Sequence, residues 1–97
     1  MVIIYSPKFT ASLGRILDFI SLDSKARANE FAKKLKAHIK SLKFMPYRCR
    51  KNAILGDENV RDLVFKGYVI TYRINEKSIE VLLIYKENLP QFLRDKK

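Results

Sequence analysis

The 97-residue chain is 47% hydrophobic and 31% charged, which predicts one globular domain with a modest core and excludes a second domain for a cofactor. Twenty Lys and Arg against ten Asp and Glu give a net charge of +10, and this excess favours an acidic partner such as nucleic acid, an anionic membrane or an acidic protein. The single cysteine, Cys49, excludes an internal disulfide and a multi-cysteine zinc site, and we expect neither a metal nor a cofactor.

The first elements in chain order are a strand and a helix. Val2 to Tyr5 is a short run rich in β-branched residues, and Ser6-Pro7 supplies an N-cap and a first helical position. Apolar residues then recur at spacings of three and four, as in one face of a helix: Phe9, Leu13, Ile16, Leu17 and Ile20. Since no apolar run approaches the length of a membrane span and no cleavage-site pattern follows the first strand, we expect a cytoplasmic protein that does not enter a membrane.

A second helix follows after a short connection. Ser21 to Ser24 contains its N-cap candidates, and an apolar stripe continues through about Lys43, formed by Ala28, Phe31, Leu35, Ile39 and Leu42. Because the connection is short, the two helices are predicted to form an antiparallel hairpin with both stripes facing the same way. From Lys33 to Lys51 there are eight Lys or Arg and no acid, so an acidic partner would find a cationic patch here.

An irregular basic segment separates the helices from three predicted strands. Residues 43–59 contain Pro46 and Gly56 and are predicted to be a loop, whose cations and Tyr47 suit nucleic acid or an acidic protein segment. Strands at about 60–66, 68–74 and 78–85 predict an antiparallel meander with one face on the hairpin. The predicted fold is therefore α+β: an N-terminal strand and a helix hairpin packed on an antiparallel sheet that the three-stranded C-terminal meander completes.

Individual strand residues allow further expectations. Tyr68 and Tyr72 share a strand face with Ile70 and Ile74, so both rings are predicted to pack in the core. Two alternatives are open for Arg61 and Asp62. They form a local ion pair, or Arg61 is held by an internal acid. The tail after residue 87 offers Pro90 as a helix start and Phe92 and Leu93 as apolar anchors, but it is too short to be stable alone.

The meander resembles the RelE/ParE superfamily of bacterial toxins. The similarity is carried by Arg61-Asp62-Leu63, by Tyr68, Ile70 and Tyr72, by the turn at residues 75–77, and by the strand "SIEVLLIY". It covers the whole chain in length and element order, and about 25 residues in motif. The resemblance implies a single toxin domain over residues 1–97, from a type II toxin–antitoxin pair. It also implies a partly disordered, often acidic antitoxin, and it suggests a toxin–antitoxin heterotetramer.

Two toxin activities stay open. A RelE-like ribosome-dependent mRNA endonuclease needs a base for the 2′-hydroxyl, cations for the scissile phosphate and an acid for the leaving oxygen. Val69 stands where such enzymes carry an arginine, so the catalytic candidates are weak ones: Arg61, Arg73, Tyr85 and Lys86. A ParE-like inhibitor of DNA gyrase acts by binding alone and does not need the missing cations, so we prefer this activity. A basic nucleic-acid-binding domain without a toxin role is the third alternative.

The predicted contact residues fall into two sets. Those for the target, whether gyrase or ribosome-bound mRNA, are cations: Arg48, Arg50, Lys51, Arg61, Lys66, Arg73, Lys86 and Arg94. We expect the antitoxin to lie across the helix hairpin and along a sheet edge and to bury apolar side chains there. The residues predicted to contact it are Leu13, Leu17, Phe31, Leu35 and Phe92.

Overall fold

The computed structural model of the chain describes residues 1–87 and confirms the predicted α+β class. In chain order the elements are β1 (Val2–Tyr5), α1 (Pro7–Asp23), α2 (Lys25–Ser41), β2 (Arg50–Lys51), β3 (Val60–Phe65), β4 (Tyr68–Ile74) and β5 (Ser78–Lys86). The short strand β2 lies inside the segment predicted to be a loop. Pro90, Phe92 and Arg94 lie outside the described residues. Within residues 1–87, neither helix is long and apolar enough to cross a membrane.

Two serines begin the helices, as the sequence predicts. The hydroxyl of Ser6 accepts a hydrogen bond from the Phe9 N–H at 3.0 Å and donates one to the Leu82 carbonyl at 2.8 Å. The hydroxyl of Ser24 accepts from the Arg27 N–H at 3.1 Å, and this residue alone separates α1 from α2. The first cap therefore also ties the start of α1 to β5.

The sheet has five strands in the order β1-β5-β4-β3-β2. Strands β3, β4 and β5 form the predicted antiparallel meander, and β2 pairs antiparallel with β3. Strand β1 instead runs parallel to β5, so the sheet as a whole is mixed. A parallel neighbour requires a long crossover, and the helices and the meander between β1 and β5 supply it.

The helix stripes pack on one face of this sheet, here called the helix-side face. Leu35, Ile39, Ile70 and Tyr72 are fully buried at its centre. The Tyr72 hydroxyl donates to the Pro46 carbonyl at 2.6 Å, which anchors the irregular segment to the core. Burial, with a smaller contribution from the nearby Cys49 thiol, raises the pKa of Tyr72 far above its usual value, so the hydroxyl stays protonated and remains a donor. Tyr68 is half-buried against the same core, as predicted.

A β-bulge explains why the apolar pattern of β5 does not alternate. Thr71 lies opposite Leu83 and Tyr72 opposite Val81, so Leu82 is the extra residue. Val81 and Ile84 consequently face the helices, while Leu83 and Tyr85 face the opposite side of the sheet, here called the back face. The Leu82 carbonyl at this bulge is the one that accepts from Ser6.

Candidate functional site

Arg61 is held by the irregular segment before β3. Its Nε donates to the Glu58 carbonyl at 3.0 Å, and one terminal nitrogen donates to the carbonyls of Cys49 at 3.1 Å and Tyr47 at 3.4 Å. The guanidinium carbon also lies 5.0 Å from the centre of the Tyr47 ring. Arg61 therefore fastens the segment to the sheet through three hydrogen bonds, made by Nε and one of its two terminal nitrogens.

Asp62 lies on the back face, on the other side of β3 from Arg61. Its carboxylate accepts hydrogen bonds from the Asn52 side-chain amide at 3.0 and 3.3 Å and from the Thr71 hydroxyl at 2.8 Å. The Arg50 Nε lies 3.9 Å away. Both predictions for this pair are therefore wrong: Asp62 is internal, but it accepts from Asn52 and Thr71, while Arg61 donates to backbone carbonyls.

Replacing Arg61 with alanine should lower the free energy of unfolding by about 1–2 kcal/mol, because three backbone carbonyls lose a charged donor. The measurement is urea denaturation followed by circular dichroism. Arg73→Ala is the matched control, since Arg73 is exposed on the neighbouring strand and its truncation should change stability by no more than about 0.5 kcal/mol. Equal stabilities for the two variants would contradict a fastening role for Arg61.

The four catalytic candidates do not converge. Arg61 lies across from Tyr72, and Lys86 lies across from Tyr68, so both point to the helix-side face, four residues apart along β4. Arg73 and Tyr85 belong to the back face. Tyr85 lies opposite Val69, which is four residues from Arg73 along β4. Four residues of strand span about 13 Å. The members of each pair are thus far apart. The chain neighbours Tyr85 and Lys86 line one groove beside α1, but neither Arg61 nor Arg73 lines it, so the four do not surround one phosphate.

The other predicted target-binding cations do not form one cluster: Lys51 lies across from Arg61 at the start of β3, whereas Lys66 follows the end of that strand. Arg48 donates to the Ser41 hydroxyl at 2.7 Å, and Lys51 pairs with Glu58 at 3.3 Å. Lys66 stands in the β3–β4 turn, where it and Gly67 both have positive φ, at 48° and 83°. This is the pattern of a type I′ hairpin turn, and the glycine serves it at low cost. Arg94 is not among the described residues. Within residues 1–87, no three His, Cys, Asp or Glu side chains lie together as metal ligands.

A groove runs between α1 and the ends of β4 and β5. Its floor is apolar and includes Ile16 and Ile84, and its rim carries two cations; the lining residues are Ser12, Arg15, Ile16, Phe19, Tyr68, Ile84, Tyr85 and Lys86. Phe19 is 71% exposed, and Leu22, three residues further along α1, is 82% exposed. Large apolar side chains this open to water suit burial by a partner.

The predicted antitoxin residues lie elsewhere. Leu13, Phe31 and Leu35 are buried in the core, and Leu17 is partly buried against it, so none of the four presents an open side chain. Phe92 falls outside the described residues. Sequence reasoning overlooked Phe19 and Leu22, although both are apolar residues that lie off the core-facing stripe of α1.

Comparison with known proteins identifies relatives across most of the chain. A family model described as the ParE toxin of the type II toxin–antitoxin system, parDE, matches residues 3–88. Among solved structures, a chain from the chromosomal ParDE toxin–antitoxin system of P. aeruginosa aligns with a TM-score of 0.75 and 20% sequence identity. The alignment covers 91% of this chain and 97% of that chain, which shows a shared fold. No curated protein matches the sequence.

Proposed function

The chain belongs to the ParE toxin family of type II toxin–antitoxin systems, and we propose that it inhibits growth by binding DNA gyrase, without cleaving RNA, until a cognate antitoxin neutralises it. The observation that supports binding over cleavage is the dispersal of the catalytic candidates. RNA cleavage through the 2′-hydroxyl requires a base, an acid and phosphate-holding cations around one scissile bond. Arg61 is instead tied to three backbone carbonyls, and Arg73 and Lys86 point to opposite sides of the sheet.

The groove beside α1 supports neutralisation by an acidic antitoxin. Phe19 and the apolar floor offer burial, while Arg15 and Lys86 at the rim offer charge to acidic residues. Apolar burial would set the lifetime of such a complex, and the cations would speed association. We therefore place the antitoxin on Phe19 and Leu22 and not on the buried side chains of Leu13, Phe31 and Leu35.

The edge strand β1 offers a second antitoxin contact. Val2 and Ser6 direct their N–H groups to the Lys77 and Val81 carbonyls of the β5 side, at 3.1 and 2.9 Å. In a parallel ladder the intervening odd-numbered residues, Ile3 and Tyr5, turn their N–H and C=O groups to the other edge. Among the described residues, β1 pairs only with β5, so an extended antitoxin segment could add a strand there.

Gyrase inhibition is tested with a supercoiling assay on purified gyrase, run beside cleavage of messenger RNA on programmed ribosomes. The expected result is loss of supercoiling, no codon-positioned cuts, and recovery when the chain is first mixed with its cognate antitoxin. Because a protein of net charge +10 could coat DNA, relaxation by a type I topoisomerase is the control and should be unaffected. Codon-positioned cuts would overturn the proposal in favour of the RelE-like nuclease. Inhibition of both gyrase and the type I topoisomerase would show that the chain coats DNA and does not inhibit gyrase specifically.

A further inference from the structure

The outer face of α2 carries a lysine stripe, formed by Lys33, Lys36, Lys40 and Lys43. The spacings of three and four place them on one side of the helix, and all four are exposed. Their span of ten residues is about 15 Å. None of them forms a salt bridge within residues 1–87, whereas the neighbouring Lys34 pairs with Glu30 at 3.0 Å. The stripe is thus a row of positive charge that no salt bridge within the described residues neutralises.

An exposed aromatic ring stands at the C-terminal end of this stripe. The N–H groups of Leu42, Lys43 and Phe44 donate to carbonyls three residues earlier, at 3.0–3.2 Å, so α2 continues as a tight turn through Phe44. Phe44 consequently lies about one turn beyond Lys40 and is 85% exposed. Tyr47 is different, because its ring contacts Arg61 and its hydroxyl donates to the Asn59 side chain at 2.7 Å.

We propose that the lysine stripe and Phe44 bind single-stranded nucleic acid, with the lysines along the phosphates and the ring stacked on one base. Charge alone holds a phosphate backbone, and every base offers a π-face to an aromatic ring. A duplex conceals those base faces and would leave Phe44 in water. An acidic polypeptide would need apolar anchors along its length for lasting binding, but no large apolar side chain within residues 33–43 is exposed, and the open ones, Phe44 and Met45, stand at one end of the stripe. This site lies on α2 and does not depend on gyrase or on the groove beside α1.

The test measures fluorescence anisotropy of the intact chain with labelled oligo(dT) and oligo(U) of roughly 12 nucleotides, a length within the usual site size. For single strands, four lysine contacts predict a slope of log affinity against log salt of about −3. Lys36→Gln with Lys40→Gln should reduce the magnitude of that slope by about 1.4. The matched control, Lys8→Gln with Lys77→Gln, removes the same charge from exposed positions off α2 and should leave the slope nearly unchanged.

Phe44→Ala tests the stacking separately from the charge. Loss of one stacked base should weaken oligo(dT) binding about five-fold or more and leave binding to a duplex of equal length unchanged. Ile54→Ala is the control, since Ile54 is 87% exposed on another segment. The proposed contacts are to phosphates and to one base face, which both strands present, so oligo(U) should bind about as tightly as oligo(dT).

Several results would overturn the proposal. If the two double lysine variants reduced the salt slope equally, attraction by net charge alone would explain binding. If duplex bound more tightly than single strand, stacking of a base on Phe44 would be excluded. Equally tight binding of a labelled poly-glutamate peptide, insensitive to Phe44→Ala, would assign the surface to an acidic protein. Circular dichroism confirms that each variant is folded before its affinity is compared.

Discussion

Replacing Asp62 with alanine is expected to lower the free energy of unfolding by about 3 kcal/mol, because two buried donors lose their acceptor. The carboxylate is 7% exposed and accepts from the Asn52 amide and from the Thr71 hydroxyl, which is itself buried. Asn52 in turn holds the segment that precedes β3. Its side-chain oxygen accepts from the Leu55 N–H at 2.8 Å, and its backbone N–H donates to the Val60 carbonyl at 2.9 Å. Loss of Asp62 should therefore loosen residues 52–59 as well as destabilise the sheet.

Urea denaturation and amide hydrogen exchange measure these two effects. Glu76→Ala is the matched control because it removes an exposed carboxylate, and its effect should stay within about 0.5 kcal/mol. Thr71→Val alone should cost about 1 kcal/mol, and combined with Asp62→Ala it should cost less than the sum, since the two side chains share one hydrogen bond. Strict additivity of the two substitutions, or a harmless Asp62→Ala, would contradict the buried network.

Local patterns predicted the elements that depend on local physics. Ser6 and Ser24 cap their helices because a hydroxyl before the first turn satisfies an N–H that has no helical partner. The alternation of Tyr68, Ile70, Tyr72 and Ile74 placed the core face of β4 correctly. The parallel direction of β1 depends on pairing with a strand more than 70 residues away, and a short apolar run contains no information about it.

The candidate site was harder to predict because it depends on where long side chains go. Arg61 and Asp62 are adjacent in sequence, yet the strand directs them to opposite faces, and each binds loop groups that the pattern did not place there. Leu13 and Leu35 fitted an apolar stripe, which indicates burial and so argues against an open contact. Phe19 is left over once the stripe of α1 is assigned, and it is exposed, which is what a partner surface requires.

Replacing Phe19 with aspartate is expected to weaken antitoxin binding by about 100-fold or more, as loss of a buried aromatic anchor at the centre of an interface does. In the proposed complex, the new carboxylate would also lie beside acidic antitoxin residues drawn to the rim cations Arg15 and Lys86. Fold stability should change little, because Phe19 is already open to water in the free chain. Titration calorimetry with the purified cognate antitoxin gives the affinity, and in cells the variant should stay toxic when the antitoxin is co-expressed.

Phe44→Asp is the control for that experiment. It makes the same chemical change at another exposed phenylalanine, which lies just beyond the C-terminal end of α2, so antitoxin affinity should be nearly unchanged. Arg15→Gln with Lys86→Gln should act differently again, slowing association and weakening its salt dependence while leaving the dissociation rate close to that of the wild type. If Phe44→Asp lost the antitoxin and Phe19→Asp kept it, the antitoxin would lie on α2, and the exposure of Phe19 would need another partner.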